Sequence, residues 1–318
     1  MELTAYFEHF LANEVNLNQD RINTIDEKID VVENLLKDNE IFKKRFKGLV
    51  PQGSYAQKTI IKPPKDKDFD VDVLLQLHAN DKWEPKDYVQ NLFSVFSQSD
   101  KYKKITDINT RCITINYKGD FHVDLVPCVE RGGNIYITNK DENKWEQTNP
   151  EVYTQWLMNK NSNSHNYLIK TIRLFKYLRD MKENFSVKSI LLNTLLGNCI
   201  NDSEALSDFK NLPTAFITVF QRLDVFLQSN ASVPTISNPT LSEEDFNRHW
   251  DQKKYSNFRD KINVYFNKSK EAYEESDKPK SIQLWRDVFG SAFPETIEEN
   301  GKTKTFGVLS GNSQPWSF

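Results

Sequence analysis

Three aspartates at alternate positions, Asp68, Asp70 and Asp72, lead directly into the apolar run Val73-Leu74-Leu75. Residues two apart on a strand project from the same face, so all three carboxylates point one way. The apolar run that follows is that of a strand entering a core. Like charges gathered at the edge of a core are unfavourable unless a cation offsets them. Hard carboxylate oxygens suit Mg²⁺, which also binds substrate phosphates. This one segment predicts a core strand whose leading end reads either as a solvated strand edge or, with a cation to offset the charges, as a metal site.

A second strand offers another carboxylate. Asp124 stands in Phe121-His122-Val123-Asp124-Leu125-Val126-Pro127, an otherwise largely apolar stretch. Pairing this strand near the first lets Asp124 share the metals and bind or deprotonate an attacking hydroxyl. His122 is expected to project to the opposite face from Asp124 and to be structural. Upstream, Leu49-Val50-Pro51-Gln52-Gly53-Ser54 reads as a short strand running into a turn. A glycine there lets backbone approach a phosphate, and a serine hydroxyl can bond its oxygens. The carboxylate-apolar-carboxylate pattern fits Asp68 with Asp70 as well as Asp70 with Asp72, and parity does not separate the two pairs.

Around this constellation, apolar periodicity predicts one long amphipathic helix over 19–46 and a helix over 85–99 opened by Pro85. Strands are predicted at Arg111–Tyr117, with Ile113 and Ile115 on one face, at Phe121–Val129 and at Ile135–Thr138. Lys118-Gly119-Asp120 reads as a hairpin turn between the first two. From about 149 the pattern becomes helical, with helices over 164–182, 187–200 and 208–229. Residues 230–241, with Pro234 and Pro239, read as a surface loop. Residues 242–275 read as helical, 281–289 as a short helix, and the polar tail from 295 as mobile. The order is a leading helix, a mixed α/β half, and an all-helical half: domains at 1–160 and 161–318.

The 318 residues carry a net charge of −3, which argues against a protein held on nucleic acid by charge alone. Cys112, Cys128 and Cys199 are scattered, without metal-ligand spacing, and are expected to be reduced thiols in a cytosol. No segment reads as a signal peptide or a membrane span. Gly301-Lys302-Thr303 ends like a phosphate-binding P-loop, but Thr296 stands where that motif needs glycine.

Gly53-Ser54-Tyr55, Asp70-Val71-Asp72 and Phe121–Pro127 resemble the polymerase-β nucleotidyltransferase superfamily. The stretch Gln52–Pro63 followed by Asp68–Val73 is similar to the bacterial CD-NTases, relatives of cyclic GMP–AMP synthase and oligoadenylate synthase. Those enzymes make cyclic di- or trinucleotide messengers in anti-phage (CBASS) defence. The resemblance implies an α/β fold with a mixed sheet, a long N-terminal spine helix and a helical C-terminal lobe. It favours Asp70 and Asp72 over Asp68, because an acidic or polar residue often precedes the catalytic pair. Asp70, Asp72 and Asp124 would hold two Mg²⁺ ions, with Mn²⁺ able to substitute, and Gly53 and Ser54 would cradle a triphosphate. Leu174-Phe175-Lys176-Tyr177 and Lys188-Ser189-Ile190 match the family's phosphate-contacting helices and give Lys176 and Ser189 the same task. The implied partners are nucleoside triphosphates and an effector reached through the product, a cyclic dinucleotide above all. No stable nucleic-acid or membrane partner is expected, and the animal sensor's Cys/His zinc insertion is missing. A transferase acting on RNA 3′ ends or small acceptors, or a non-catalytic nucleotide binder, could use the same core.

Overall fold

The computed structural model describes residues 1–64, 68–117 and 121–297. In chain order the helices are α1 (Thr4–Phe10, prolonged by a wider π-type turn, Leu11–Val15), α2 (Gln19–Asp38), α3 (Gly53–Ala56), α4 (Pro85–Gln98), α5 (Pro150–Asn163), α6 (Leu168–Lys182), α7 (Ser189–Asn198), α8 (Leu212–Gln228), α9 (Gln252–Glu274) and α10 (Lys278–Phe289). The strands are β1 (Phe46–Pro51), β2 (Phe69–Leu77), β3 (Thr106–Ile108), β4 (Ile113–Tyr117), β5 (Phe121–Arg131), β6 (Asn134–Asn139), β7 (Lys144–Thr148), β8 (Ser237–Asn238) and β9 (Leu241–Asp245). They fall into two compact units. One holds Leu17–Asn159 and Thr235–Arg248; the other holds Met1–Asn16, Lys160–Pro234 and the described residues from His249 onward.

The first unit is built on a mixed sheet in the order β1-β2-β5-β4-β3, extended by β6 on β5 and β7 on β6. Only β2 and β5 run parallel; the other pairs in this sheet are antiparallel. A parallel pair needs a long crossover, and here α4, β3 and β4 lie between the two strands in sequence. Phe69, Val71, Val73, Leu75 and Leu77 of β2 are all buried. Helix α4 packs on β3, β4, β5 and β6, burying Tyr88, Val89, Leu92, Val95 and Phe96. Its start is set by Pro85 and by a reciprocal cap, in which the Glu84 amide donates to the Asp87 carboxylate at 2.8 Å. Helix α2 opens where the Asn18 side chain accepts the Arg21 amide and buries the stripe Ile22, Ile25, Ile29, Val32 and Leu36.

The expected 19–46 helix is thus shorter. Asn39 is extended, its side chain accepts the Ile41 amide, and Phe42 is buried in the turn that leads to β1. The predicted turn at Lys118-Gly119-Asp120 lies outside the described residues; the strands flanking it pair Tyr117 with Phe121. Strands β3 and β7 are further elements that apolar periodicity missed. Both are short, and β7 (Lys-Trp-Glu-Gln-Thr) has no fully buried residue. The expected loop 230–241 and helix 242–275 are also corrected. A β8–β9 hairpin occupies 237–245, and the helix begins at Gln252, capped by the Asp251 carboxylate, which accepts the Lys254 amide at 2.8 Å.

The second unit is helical. Helix α6 packs on α7, α8 and α10, α8 on α9, and α9 on α10, with α1 against α8. Aromatic rings fill its core: Phe7 meets Trp285 edge-on at 4.7 Å, Phe175 meets Phe220 at 4.7 Å, and Phe10 meets Tyr177 at 5.0 Å. Such edge-to-face pairs add to the burial of large apolar rings, which accounts for much of the chain's 21 phenylalanines. The predicted 164–182 helix starts only at Leu168, because His165 and Asn166 take left-handed backbone conformations. Among the described residues, no helix is long and apolar enough to cross a membrane.

Candidate active site

The register of β2 against β5 sets the site. Asp72 lies directly opposite Asp124, and Asp70 opposite His122. Because strand side chains alternate, Asp70, Asp72, His122 and Asp124 share one face. The buried face of β2 carries Val71 and Val73, so its aspartates occupy the open face. One step further along, that face turns apolar: Leu74, Val126, Cys112 and Cys128 form a buried cluster, with Val50, Ile135 and Ile137 against it. The carboxylates therefore stand at the edge of an apolar floor. The floor leads into a cavity of about 180 Å³ lined by Val50, Gln52, Leu74 and Thr154 among others, with the carboxylates outside it.

The Gly53 corner is built against Asp72. The Gln52 amide donates to the Asp72 carbonyl at 2.8 Å, continuing the β1–β2 ladder by one residue. Gly53 then takes a left-handed φ of 60°, and a Cβ placed on it would collide with the Asp72 carboxylate. Both facts favour glycine. Gly53-Ser54 is thus not a plain turn but the opening of a single helical turn, α3. The Ser54 carbonyl accepts the Thr59 and Ile60 amides at 2.9 and 3.1 Å, and Tyr55 is anchored by its hydroxyl on Asp26 at 2.6 Å.

Asp124 is held from the other side. Thr114 of β4 is its direct antiparallel partner, and the Thr114 hydroxyl donates to the Asp124 carboxylate. Burial raises the Asp124 pKa above the ordinary carboxylate value. The Thr114 hydrogen bond opposes that rise, and the charge of Asp70 adds to it. Burial pushes the Cys112 and Cys128 thiols up to about 12. These thiols are protonated at neutral pH, which leaves the carboxylate oxygens and the His122 imidazole as the donors of this face.

His122 corrects an expectation. It does not turn away from Asp124: a spacing of two places both on the same face, and His122 Nε2 lies 3.3 Å from Asp68 Oδ2. The ambiguity among the aspartates thereby acquires a structure. Asp68 pairs with histidine, while Asp70 and Asp72 continue toward Asp124 and Gly53. Among the described residues, no three His, Cys, Asp or Glu side chains are drawn into a ready-made metal cage.

Lys176 and Ser189 belong to the helical unit. Lys176 is a buried residue of α6, and Ser189 is the first residue of α7. Arg179, one turn after Lys176, donates to the Ser189 hydroxyl at 3.3 Å and to the Val187 carbonyl at 3.0 Å. Its other nitrogens engage Asp180 at 2.6 and 3.1 Å.

Comparison with known proteins places this arrangement. Residues 1–161 match the family model described as the Second Messenger Oligonucleotide or Dinucleotide Synthetase domain. The chain is 28% identical over 157 residues to a c-di-GMP synthase of Roseivirga ehrenbergii, a match covering 46% of this chain and 41% of that protein. It is 22% identical over 297 residues to a cyclic AMP-AMP-AMP synthase of an Acinetobacter species, covering 90% of this chain and 84% of that one. Among solved structures, CdnC of E. coli MS115-1 with ATP superposes with a TM-score of 0.73 at 19% identity, covering 92% of this chain and 98% of that one. The apo form of Vibrio cholerae DncV gives 0.74 at 14%, covering 92% and 96%. The fold is thus shared with CD-NTases at low identity, and by its sequence match the chain belongs to the Second Messenger Oligonucleotide or Dinucleotide Synthetase family.

Proposed function

We propose that the chain is a nucleotidyltransferase that joins nucleoside triphosphates into a cyclic oligonucleotide messenger and releases pyrophosphate. One observation carries the reading: Asp72 and Asp124 face each other across parallel strands, with Asp70 on the same face and Gly53 closed against Asp72. A row of carboxylates without a preformed cage fits Mg²⁺, which is commonly held by one or two carboxylates together with substrate phosphates. Asp70, Asp72 and Asp124 would hold the ions. When bound, Mg²⁺ supplies activation of the attacking hydroxyl and neutralisation of charge on the leaving pyrophosphate.

The protein's own groups do the rest. Asp124, tied by the Thr114 hydroxyl, is placed to bind or take the proton of a ribose hydroxyl brought to the carboxylate row. Gly53 admits backbone close to a phosphate, and the Ser54 hydroxyl can donate to its oxygens. The same reading gives Lys176 and Ser189 to the triphosphate, with Arg179 orienting Ser189. The sheet unit, Leu17–Asn159 with Thr235–Arg248, would then serve as the catalytic core, and the helical unit, which takes in Met1–Asn16, as the lobe.

The relatives named as cyclic-nucleotide synthases support the product class. Anti-phage signalling in the cytosol, through an effector that reads the product, and independence from nucleic acid follow from the same family reading. The test is pyrophosphate release from the four NTPs with Mg²⁺. The parent chain is expected to turn over, and Asp70→Asn, Asp72→Asn and Asp124→Asn each to lose at least about 100-fold, the scale of removing a charge-stabilising group. Full activity in all three would sink the assignment.

A further inference from the structure

Two residues outside the expected site converge on its third carboxylate. Asn109, in the turn between β3 and β4, donates from Nδ2 to the Thr114 hydroxyl at 2.8 Å. The Thr114 hydroxyl in turn donates to Asp124 Oδ1. The polarity is forced. The asparagine amide nitrogen can only donate, so the hydroxyl oxygen receives it, and the single hydroxyl proton goes to the carboxylate. The turn is itself fixed, since the Asn109 amide donates to the Cys112 carbonyl at 2.9 Å. Register does the remainder. Thr114 lies opposite Asp124, and Asp124 opposite Asp72, so the three form one row across β4, β5 and β2.

We propose that Asn109 and Thr114 are positioning residues of the nucleotidyl-transfer site, a relay that fixes the plane of the Asp124 carboxylate for the metal-bound nucleotide. The inference rests on the proposed function and deepens it. A carboxylate on a single Cβ–Cγ bond rotates freely unless one oxygen is tied. Tying Oδ1 from β4 removes that rotation before substrate arrives. Partners one step removed from a metal act in this way, and their loss commonly costs about 10- to 100-fold in metal affinity or activity. Valine matches threonine in shape and keeps the strand preference while deleting the hydroxyl. Serine keeps the donor.

The experiment measures Mn²⁺ affinity by electron paramagnetic resonance, in the presence of ATP and GTP analogues that cannot release pyrophosphate, together with kcat and the melting temperature. The variants are Thr114→Val, Thr114→Ser, Asn109→Ala and Asp124→Asn. The relay predicts a 10- to 100-fold loss of Mn²⁺ affinity in Thr114→Val, recovery in Thr114→Ser and a smaller loss in Asn109→Ala, which leaves the strand intact should the valine variant not fold. Loss in Asp124→Asn with Thr114→Val and Asn109→Ala both within twofold of the parent would overturn the relay and leave the site standing. Unchanged Mn²⁺ affinity in Asp124→Asn would overturn the metal-site reading and the relay with it. A purely structural hydroxyl would lower the melting temperature without moving the metal affinity.

Discussion

At Gly53 two requirements meet on one residue: a left-handed φ, and no atom between the backbone and the Asp72 carboxylate. Gly53→Ala imposes both a strained backbone, about 1–2 kcal/mol for an L-residue in that region, and displacement of Asp72. The expected result is a modest fall in melting temperature with a fall in kcat of about 100-fold, the scale on which ångström misplacement acts. A variant with normal turnover would show that Asp72 can move without consequence. The aspartate row was legible because period two is a property of any strand and carboxylates are the residues a core rejects. The same rule, properly applied, also places His122 beside Asp124, and the expectation for His122 failed on that count. Thr114 was equally within reach: with Ile113 and Ile115 facing the core, residue 114 has to face the carboxylates. The Asp68–His122 contact was not legible, because pairing depends on the register between β2 and β5, which the local pattern does not contain.

Among the elements, α4 and β5 were found nearly at their observed limits, while α2 ends at Asp38 rather than at 46. Helix α4 was expected at 85–99 and spans Pro85–Gln98; β5 was expected at Phe121–Val129 and spans Phe121–Arg131. Misses fell where tertiary contacts decide. The β8–β9 hairpin is two and five residues long, and β9, Leu-Ser-Glu-Glu-Asp, carries no apolar alternation. Helix α8 shows what a tertiary contact contributes. Arg222 reaches Glu204 with two nitrogens, at 2.5 and 2.9 Å, and the Cys199 carbonyl at 2.9 Å. Burial pushes the Glu204 carboxyl up, but its bonds to Arg222 and to the Asn201 amide outweigh this and hold it below its ordinary value. The native state therefore binds that proton less readily than the unfolded chain. The stabilisation is complete above the unfolded carboxylate pKa and is lost as pH falls through the folded one. Arg222→Leu is expected to cost about 2 kcal/mol at neutral pH, the scale of hydrogen bonds to a charged group. Urea titrations at descending pH should show this difference shrinking in acid. A difference that persists at the lowest pH would mean that the ion pair is not its source.

For the whole molecule, fold and sequence part company. The chain superposes on CdnC and DncV over nine-tenths of its length at under one-fifth identity, while the aspartate row and the Gly53 corner were recognisable from residues alone. A scaffold of buried apolar positions tolerates exchange among hydrophobic residues of similar volume. The proposed site closes nucleotides into a ring. Its most direct test is incubation of the protein with all four NTPs and Mg²⁺ or Mn²⁺, phosphatase treatment and mass spectrometry. The expected product is a phosphatase-resistant cyclic oligonucleotide that is absent when Asp70 and Asp72 are both changed to asparagine. A linear product, or a cyclic one made equally well by the double variant, would contradict it.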